Sequence, residues 1–242
     1  MAPSIPPATD RLYETDAYAT ETTAQVLDVT AQGVVLDRTL FYAESGGQPG
    51  DHGVIEAADG AQLPVSDTQY LPGRIRIAHT LASGAPLQPG DTVRLAVDWD
   101  RRYRHMRMHT CLHVLCGLID APVTGCSIHA DRGRIDFDLP ESLFTADELE
   151  AWLQEEIRRD RPVRHYWRTG AEVAEALETV RTVKAPPATG ERLRVVEIED
   201  LDYQPCGGTH VRSTAELEGL HVTRMQKKSR HNRRVLISDH SG

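Results

Sequence analysis

The sequence predicts an α+β protein, in which a small N-terminal β-barrel is followed by a domain of antiparallel sheet and packed helices. Up to residue 98 the chain consists of short segments rich in β-branched residues, separated by turn formers and without helical periodicity. After residue 98, helical segments are interspersed with segments whose apolar and polar residues alternate, as they do in half-buried strands. This change of pattern predicts the two parts of the fold.

The first part is predicted to hold short strands at residues 26–29, 33–37, 53–55 and 92–98. A tight turn at residues 88–91 leads into the last strand, and a small barrel fits this series best. The Pro-rich residues 1–17 are predicted to form a flexible tail. The barrel domain is therefore expected to cover residues 18–98, and a second domain residues 99–242.

The second part is predicted to begin with a helix over residues 106–119, followed by a strand at residues 134–139. Thr145 and Glu148 form a capping box that opens a second helix, which continues through about Arg159. Further strands are expected at residues 163–167, 193–198, 221–225 and 235–237. The second helix is expected to pack against a sheet through Leu149, Trp152, Leu153 and Ile157.

The first of these helices carries His109 and His113. Residues four apart lie on the same face of a helix, so both imidazoles can reach one metal ion. The zinc-protease motif has a Glu directly after the first His, and here that position is Thr110, which excludes this class. The other helix cysteines are assigned to packing: Cys116 as a small apolar core residue, and Cys111 on the opposite face.

A second pair of metal-binding residue types, Cys206 and His210, frames two glycines. These glycines are expected to permit the backbone angles that bring the thiolate and the imidazole to one point. Either pair alone is a weak signal, whereas together they supply four nitrogen and sulfur ligands that suit a tetrahedral zinc ion. The sequence therefore predicts one Zn²⁺ per chain, bound by His109, His113, Cys206 and His210.

A glycine-dense loop follows a strand-like run at residues 41–48 (FYAESGGQ). Alone it could be an ordinary turn. Followed by residues 109–113 (HTCLH) and residues 206–210 (CGGTH), however, it resembles the editing region of alanyl-tRNA synthetases and the free-standing alanyl-tRNA editing proteins of the AlaX family. The resemblance extends from about Tyr18 to Ser238. One departure is that the family often reads HTATHLL where this chain has HTCLHVL.

The resemblance implies a zinc-dependent deacylase that hydrolyses mischarged tRNA(Ala), with Ser-tRNA(Ala) as the expected substrate. It implies that Gly46, Gly47 and Gln48 bind the substrate and that Gln48 and Thr110 are candidate catalytic residues. A site that bonds the serine hydroxyl can reject alanine, because its polar groups would then stay unpaired. Four protein ligands are typical of structural zinc and an open position of catalytic zinc, and the sequence does not decide between them.

Composition places the chain among soluble cytoplasmic proteins. Of its 242 residues, 26% are charged and 40% hydrophobic, near ordinary globular values. No apolar run is long enough to span a membrane, and the N-terminus lacks the pattern of a secretory signal. The four cysteines show no disulfide spacing, so no disulfide partner and no membrane association are expected.

The net charge of −9 is unusual for a protein expected to bind RNA, because phosphate contacts supply most nucleic-acid affinity. Local clusters of basic residues offset this. A cluster around residues 158–168 is interpreted as a solvated face. The candidates for tRNA contacts lie beside the metal helix and near the C-terminus: Arg101, Arg102, Lys227, Lys228 and Arg230.

Three alternatives remain open at this stage. The leading one is a non-catalytic, zinc-stabilised module of the same fold that binds tRNA or a synthetase. A second is a fragment of an alanyl-tRNA synthetase, which the Met1 start and the absence of activation-domain sequence disfavour. A third is a zinc hydrolase for another ester or for a D-aminoacyl-tRNA. An ATP-independent deacylation assay distinguishes the enzyme from the first alternative, and activity without a preference for serine would indicate the third.

Overall fold

The structure is a computed structural model that describes residues 7–82, 86–141, 144–182 and 192–240. Within these ranges the chain forms two compact units. The first contains the described residues up to Ser45 together with Pro49–Arg102, and the second contains Gly46–Gln48 and the described residues from Tyr103 onward. The short glycine-rich segment thus belongs to the second unit, although the chain on both sides of it belongs to the first.

The first unit is a closed antiparallel barrel with strand order β2-β3-β7-β6-β5-β8, as the sequence predicted. Alternate residues of each strand point inward, so Leu36, Ile55 and Leu95 lie in one buried cluster. A short parallel pair, β1 with β4, lies outside the barrel order. The strands are β1 (Asp10–Arg11), β2 (Glu21–Thr30), β3 (Gly33–Leu36), β4 (Arg38–Thr39), β5 (Gly53–Glu56), β6 (Gln62–Tyr70), β7 (Ile77–Leu81) and β8 (Thr92–Val97).

Residues 10–14 differ from the predicted flexible tail. They form β1 and a turn of 3-10 helix, and Tyr13 is only 1% exposed. Its ring packs edge-on against Tyr42 at 5.3 Å, and its hydroxyl lies 3.0 Å from that of Tyr70. These two contacts of Tyr13 anchor the segment to the barrel. Local composition does not reveal them, because both partners are distant in the sequence. Residues 1–6 of the predicted tail lie outside the described residues.

The second unit contains most of helix α1 and two antiparallel sheets, of order β14-β15-β10-β9 and β11-β12-β13. Helix α1 begins before the predicted residue 106, at Trp99, where the Asp98 carboxylate accepts a hydrogen bond from the backbone of Arg101. The elements are α1 (Trp99–Leu118), β9 (Val123–Ile128), β10 (Arg132–Asp138), α2 (Ala146–Arg158), β11 (Val163–Thr169), α3 (Ala171–Glu178), β12 (Arg192–Ile198), β13 (Asp202–Pro205), β14 (Leu220–Lys227) and β15 (Asn232–Asp239).

Helix α2 begins with the predicted capping box and packs against β14. Leu149, Leu153 and Ile157 are buried as expected, but Trp152 is 41% exposed and contacts the ring of Phe144 instead. The fourth buried position is Glu156, whose carboxylate pairs with Arg159 and Arg161. The prediction for Trp152 was wrong because the buried face of the helix includes the ion-paired Glu156 in place of the tryptophan. None of the helices in the described ranges has the length and hydrophobicity of a membrane-spanning segment.

Candidate metal centre

Four buried side chains of the second unit converge on one point: those of His109, His113, Cys206 and His210. Their ligand atoms all lie within 4.8 Å of one another. The two α1 histidines are one helical turn apart on the same face. The His210 ring lies tilted against that of His109 at a centroid distance of 4.3 Å and edge-on to that of His113 at 4.6 Å. The structure thus brings together all the residues that the sequence predicted as metal ligands.

The turn that carries Cys206 and His210 follows strand β13. Arg194 of the neighbouring β12 holds this turn, because its Nη1 donates to the carbonyl oxygens of Cys206 and Gly208, both at 2.9 Å. The backbone N–H of Gly208 points to Sγ of Cys206 at 3.4 Å. The turn is therefore fixed by a buried guanidinium and by its own backbone.

The two glycines of this turn serve a purpose other than the predicted one. Neither Gly207 nor Gly208, both described, has the positive φ that the expected backbone angles require. Gly208 is instead needed for close approach, since a Cβ there would lie 2.1 Å from Cε1 and 2.5 Å from Nδ1 of His109. A Cβ on Gly207 would meet nothing within 4 Å. Only Gly208 is sterically required.

Each histidine of the cluster has a partner at Nδ1, which leaves Nε2 directed at the common point. Nδ1 of His109 lies 2.8 Å from Oε1 of Gln48, and Nδ1 of His210 lies 3.1 Å from Oγ1 of Thr110. Nδ1 of His113 lies 2.8 Å from Oδ2 of Asp202, which is fully buried. Such partners fix the tautomer and ring orientation of metal-binding histidines.

The separations within the cluster fit a small tetrahedral ion. Sγ of Cys206 lies 3.6 Å from Nε2 of His109 and 3.3 Å from Nε2 of His210. Bonds of about 2.0–2.3 Å in tetrahedral geometry place nitrogen and sulfur roughly 3.5 Å apart. Mixed imidazole and thiolate donors are the chemistry that zinc prefers, and the cluster can hold one metal ion.

Electrostatics favour the thiolate of Cys206, the form that binds metal. Burial alone would raise the pKa of Cys206, but the three neighbouring imidazoles hold it well below its usual range. The pKa of His113 is raised to about 10: burial opposes this shift, and the Cys206 thiolate and the Asp202 carboxylate produce it. The Cys206 thiolate and the Asp202 carboxylate are the negative groups of this site that would offset the charge of a bound metal ion.

The side chain of Gln48 lies behind His109 of the cluster and is fully buried. Its Oε1 accepts from His109 and, at 3.2 Å, from the backbone of Thr209, while its Nε2 donates to Oγ1 of Thr209 at 2.8 Å. Both ends of the amide are therefore engaged within the protein. This placement differs from the expectation that Gln48 contacts the substrate.

Thr110 is likewise buried behind a member of the cluster. Its hydroxyl contacts His210 and accepts from the backbone N–H of Val211 at 3.2 Å. It is bonded neither to the backbone of its own helix nor to an open site in any contact that the structure describes. Thr110 is thus placed to orient His210 rather than to touch a substrate.

Gly46 and Gly47 have positive φ values of 58° and 85°. The backbone carbonyl of Gly47 accepts from Ile128 of β9 at 2.9 Å, and that of Gly46 accepts from Sγ of Cys126 at 3.4 Å. A Cβ on Gly47 would lie 2.8 Å from Cys126 Sγ, whereas one on Gly46 would meet nothing within 4 Å. The loop is thus bonded to the edge of a sheet, with open space beside Gly46.

Sequence reasoning missed several groups that support the cluster: Asp202, Gln204, Cys126 and Arg194. The amide of Gln204 donates to Asp202 at 2.9 Å and so helps to hold the partner of His113. One available signal was the alternation in β13, since Asp202 and Gln204 are spaced by two on one face of the strand, and Cys206 comes two residues later, just after the strand ends.

The basic residues predicted to bind RNA differ in exposure. Lys227, Lys228 and Arg230 are exposed, and Arg101 is half-buried. Arg102 is 0% exposed, because its guanidinium pairs with Asp51 of the first unit and donates to the carbonyl oxygen of Ala17. It is engaged inside the first unit, so the expectation that Arg102 contacts phosphates is wrong for this structure.

Comparisons with known proteins agree with the motifs. Residues 13–101 match the family described as tRNA synthetases class II (A), and residues 193–235 match the threonyl and alanyl tRNA synthetase second additional domain. The alanyl-tRNA editing protein AlaX-M of Methanosarcina barkeri is 39% identical over 95% of this chain and 98% of its own length.

Two longer proteins share this region. The alanyl-tRNA editing protein AlaX-L of Pyrococcus horikoshii is 37% identical over 93% of this chain and 57% of its own length. The alanine–tRNA ligase of Thermococcus kodakarensis is 34% identical over 91% of this chain but 24% of its own length. The similarity therefore covers both units of the chain.

Proposed function

This chain belongs to the family of alanyl-tRNA editing proteins, and we propose that it is a zinc-dependent deacylase of mischarged tRNA(Ala), with Ser-tRNA(Ala) as its main substrate. It acts in the cytoplasm, without ATP, on tRNA charged by a synthetase. The observation that carries the proposal is that the Gly-Gly-Gln loop meets the Cys/His cluster, through the contacts of Gln48 with His109 and Thr209.

We propose one zinc ion per chain, held by His109, His113, Cys206 and His210. The supporting observations are the donor set, its spacing and the engaged Nδ1 atoms. When bound, zinc supplies Lewis-acid polarisation and orientation at an ester that is already activated. The chain itself holds the four donor atoms around one point and shields them from solvent.

Within this proposal, Gln48 and Thr110 are positioning residues. Each acts through a histidine: Gln48 holds His109, and Thr110 holds His210. Substrate contact is assigned to Gly46 and Gly47, because the space beside Gly46 is open and glycine allows a ligand to approach the backbone closely. The backbone N–H groups there can donate to the serine hydroxyl that alanine lacks.

The tRNA contacts proposed from the sequence are kept at Lys227, Lys228 and Arg230, with Arg101 as a weaker candidate. Lys227 and Arg230 border an open cavity of about 600 Å³, which is also lined by Glu141 and by the largely buried Arg233. Positive groups around such a cavity suit phosphate oxygens. Replacing Lys227, Lys228 and Arg230 with neutral residues should make the slope of log K against log salt concentration for tRNA binding shallower by roughly one unit per lost contact.

The deciding experiment measures release of serine from Ser-tRNA(Ala), with Ala-tRNA(Ala) as the matched substrate control. We expect the zinc-loaded protein to release serine and to spare alanine by about 10⁴-fold or more. The Cys206→Ala variant should lose both zinc and activity. Hydrolysis of both substrates at equal rates would overturn the assigned specificity.

One observation favours a second candidate, a non-catalytic zinc-stabilised module that binds tRNA or a synthetase. All four proposed ligands come from the protein and are buried, a set typical of structural zinc. The same assay separates the two functions. A zinc-loaded protein that binds tRNA(Ala) but releases no amino acid from it would favour the module.

A further inference from the structure

Four arginines lie on one open face of the sheet β14-β15-β10-β9. Cross-strand register places Arg132 and Arg134 of β10, Arg234 of β15 and Arg224 of β14 on the same face, together with Asp136. Residues paired across antiparallel strands project to the same side, so these groups form one surface. We call it the arginine face.

The arginine face is organised as well as charged. Asp136, largely buried, accepts from Arg134 at 2.7 Å and from Arg234 at 2.7 and 2.8 Å. This carboxylate fixes two guanidinium groups against the sheet. Arg132 has a side chain that is 67% exposed, and Arg224 is exposed with no ion-pair partner among the described residues. The register also places Asp138 on this face, and Asp131 pairs with Arg132 at 3.3 Å. The four arginines therefore outnumber the three aspartates by one, in a chain of net charge −9.

The neighbours of these arginines determine what kind of polymer can lie on the face. The uncharged residues paired with them across the strands are Ser127, Gln226, Leu236 and Ser238, and Gly125 is paired with Asp136. No Phe, Tyr or Trp stands at these positions, although proteins that hold single-stranded RNA use aromatic rings to stack bases. The imidazole of His221, opposite Ser238 on the same face, is already paired with Glu150 and stacked on His240. Double-helical RNA is instead recognised through phosphates and 2′-hydroxyl groups. Guanidinium groups suit such contacts because each can donate two hydrogen bonds to one phosphate.

The same sheet is bonded to the loop that reaches the metal centre. Its edge strand β9 donates from the backbone of Ile128 to Gly47 at 2.9 Å, and Sγ of Cys126 contacts the carbonyl of Gly46 at 3.4 Å. Gln48, the next residue of the loop, holds His109. A helical RNA on the arginine face is thus bound to the sheet whose edge carries the glycine loop.

We propose that the arginine face binds the double-helical part of the acceptor arm of tRNA, through its phosphates and without reading its bases. This inference rests on the proposed function, which makes tRNA the substrate. The arginine face is separate from the other candidate tRNA contacts, Lys227, Lys228 and Arg230. Those residues lie at and beyond the end of β14, whereas the arginine face spans the middle of the sheet.

The test uses the full-length zinc-loaded protein and the double variant Arg132→Gln/Arg224→Gln, which leaves the Asp136 cluster intact. The probes are uncharged tRNA(Ala), a blunt RNA hairpin with the acceptor-arm duplex, and a single-stranded RNA of equal length. We expect the affinity for tRNA and for the RNA hairpin to fall about tenfold. The slope of log K against log salt concentration should become shallower by about two units. Binding of the single strand should change less.

Two further variants control for charge alone. Arg158→Gln/Arg164→Gln removes the same charge from positions that are 67% and 49% exposed elsewhere in the second unit, and should leave hairpin binding unchanged. Arg132→Lys/Arg224→Lys should restore the salt dependence, because lysine still neutralises phosphates. Unchanged hairpin binding in the Arg132→Gln/Arg224→Gln protein, or an equal loss in the control pair, would overturn the inference.

A deacylation assay on the same proteins separates this inference from the proposed function. If the wild-type protein releases no serine but the arginine-face variant loses hairpin affinity, the proposed function fails and the RNA surface stands. If the wild-type protein releases serine and hairpin binding is unchanged in the variant, the RNA surface fails alone.

Discussion

Nδ1 of His109 lies 2.8 Å from Oε1 of Gln48, although the two residues are 61 positions apart in the chain. This contact makes the glycine-rich loop part of the support of the metal centre. Removal of the glutamine side chain is therefore expected to disturb His109, a candidate metal ligand, because the contact that is lost is with this histidine and not with a substrate.

The Gln48→Ala variant is therefore predicted to bind zinc about 10–100-fold more weakly, the usual effect of removing a group that orients a ligand. Competition with a chromophoric chelator measures this affinity. Gln48→Glu keeps an oxygen to accept from His109 and should stay closer to wild type. Full zinc affinity with lost deacylation in Gln48→Ala would return Gln48 to a direct role at the substrate.

Gly208→Ala is predicted to lose most of its bound metal. The added Cβ would lie 2.1 Å from Cε1 of His109, so the imidazole must move away from the other three donors. Gly207→Ala is the matched control, since nothing lies within 4 Å of its Cβ. Metal content after dialysis compares the two, and equal zinc retention would show that the turn adapts to the side chain.

Asp202→Asn is predicted to weaken zinc binding by about tenfold or more, because a buried neutral amide polarises His113 less than the carboxylate does. Asp200→Asn, two residues away at a site whose side chain is 87% exposed, should have no effect. Isothermal titration of the apo proteins with zinc makes the comparison. If both variants bind zinc like wild type, the carboxylate does not tune the centre.

Arg102→Gln is predicted to destabilise the barrel by about 3–5 kcal/mol, because it leaves Asp51 buried without its counter-charge. Hydrogen exchange of the barrel strands, followed by mass spectrometry, reports on this unit by itself. The exposed Arg104→Gln should change protection by less than about 0.5 kcal/mol. Unaltered exchange in the Arg102 variant would mean that water replaces the guanidinium.

A pH prediction concerns His79, which is fully buried in the barrel between the carbonyl oxygen of Val34 and the hydroxyl of Thr39. Burial lowers the pKa of His79 to about 4. Since the unfolded pKa is about 6.5, the unfolded state binds more protons in this window, and stability falls by about 3 kcal/mol as the pH drops from 6.5 to 4. An NMR titration of the ring, assigned with a His79→Gln spectrum, should show no midpoint above pH 5.

The sequence predicted the barrel and the set of four side chains that converge in the structure, because both depend on local patterns. Short β-branched strands and a His pair four residues apart can be read within a few residues of chain. Strand β6 could not be predicted in this way, since it contains Pro64 and mostly polar residues. The placement of Gln48 could not either, because its partners at His109 and Thr209 are 61 and 161 positions away.

The wide spacing of these contacts has a consequence for synthesis of the protein. His109 and His113 leave the ribosome long before Cys206, which follows 93 positions after His113. At about 5–20 residues per second, the histidine pair waits roughly 5–20 s for the rest of its cluster. During that interval the nascent chain offers any free metal ion a two-nitrogen site only. In the proposed zinc site, selection of the metal is therefore completed late in translation, when the thiolate arrives.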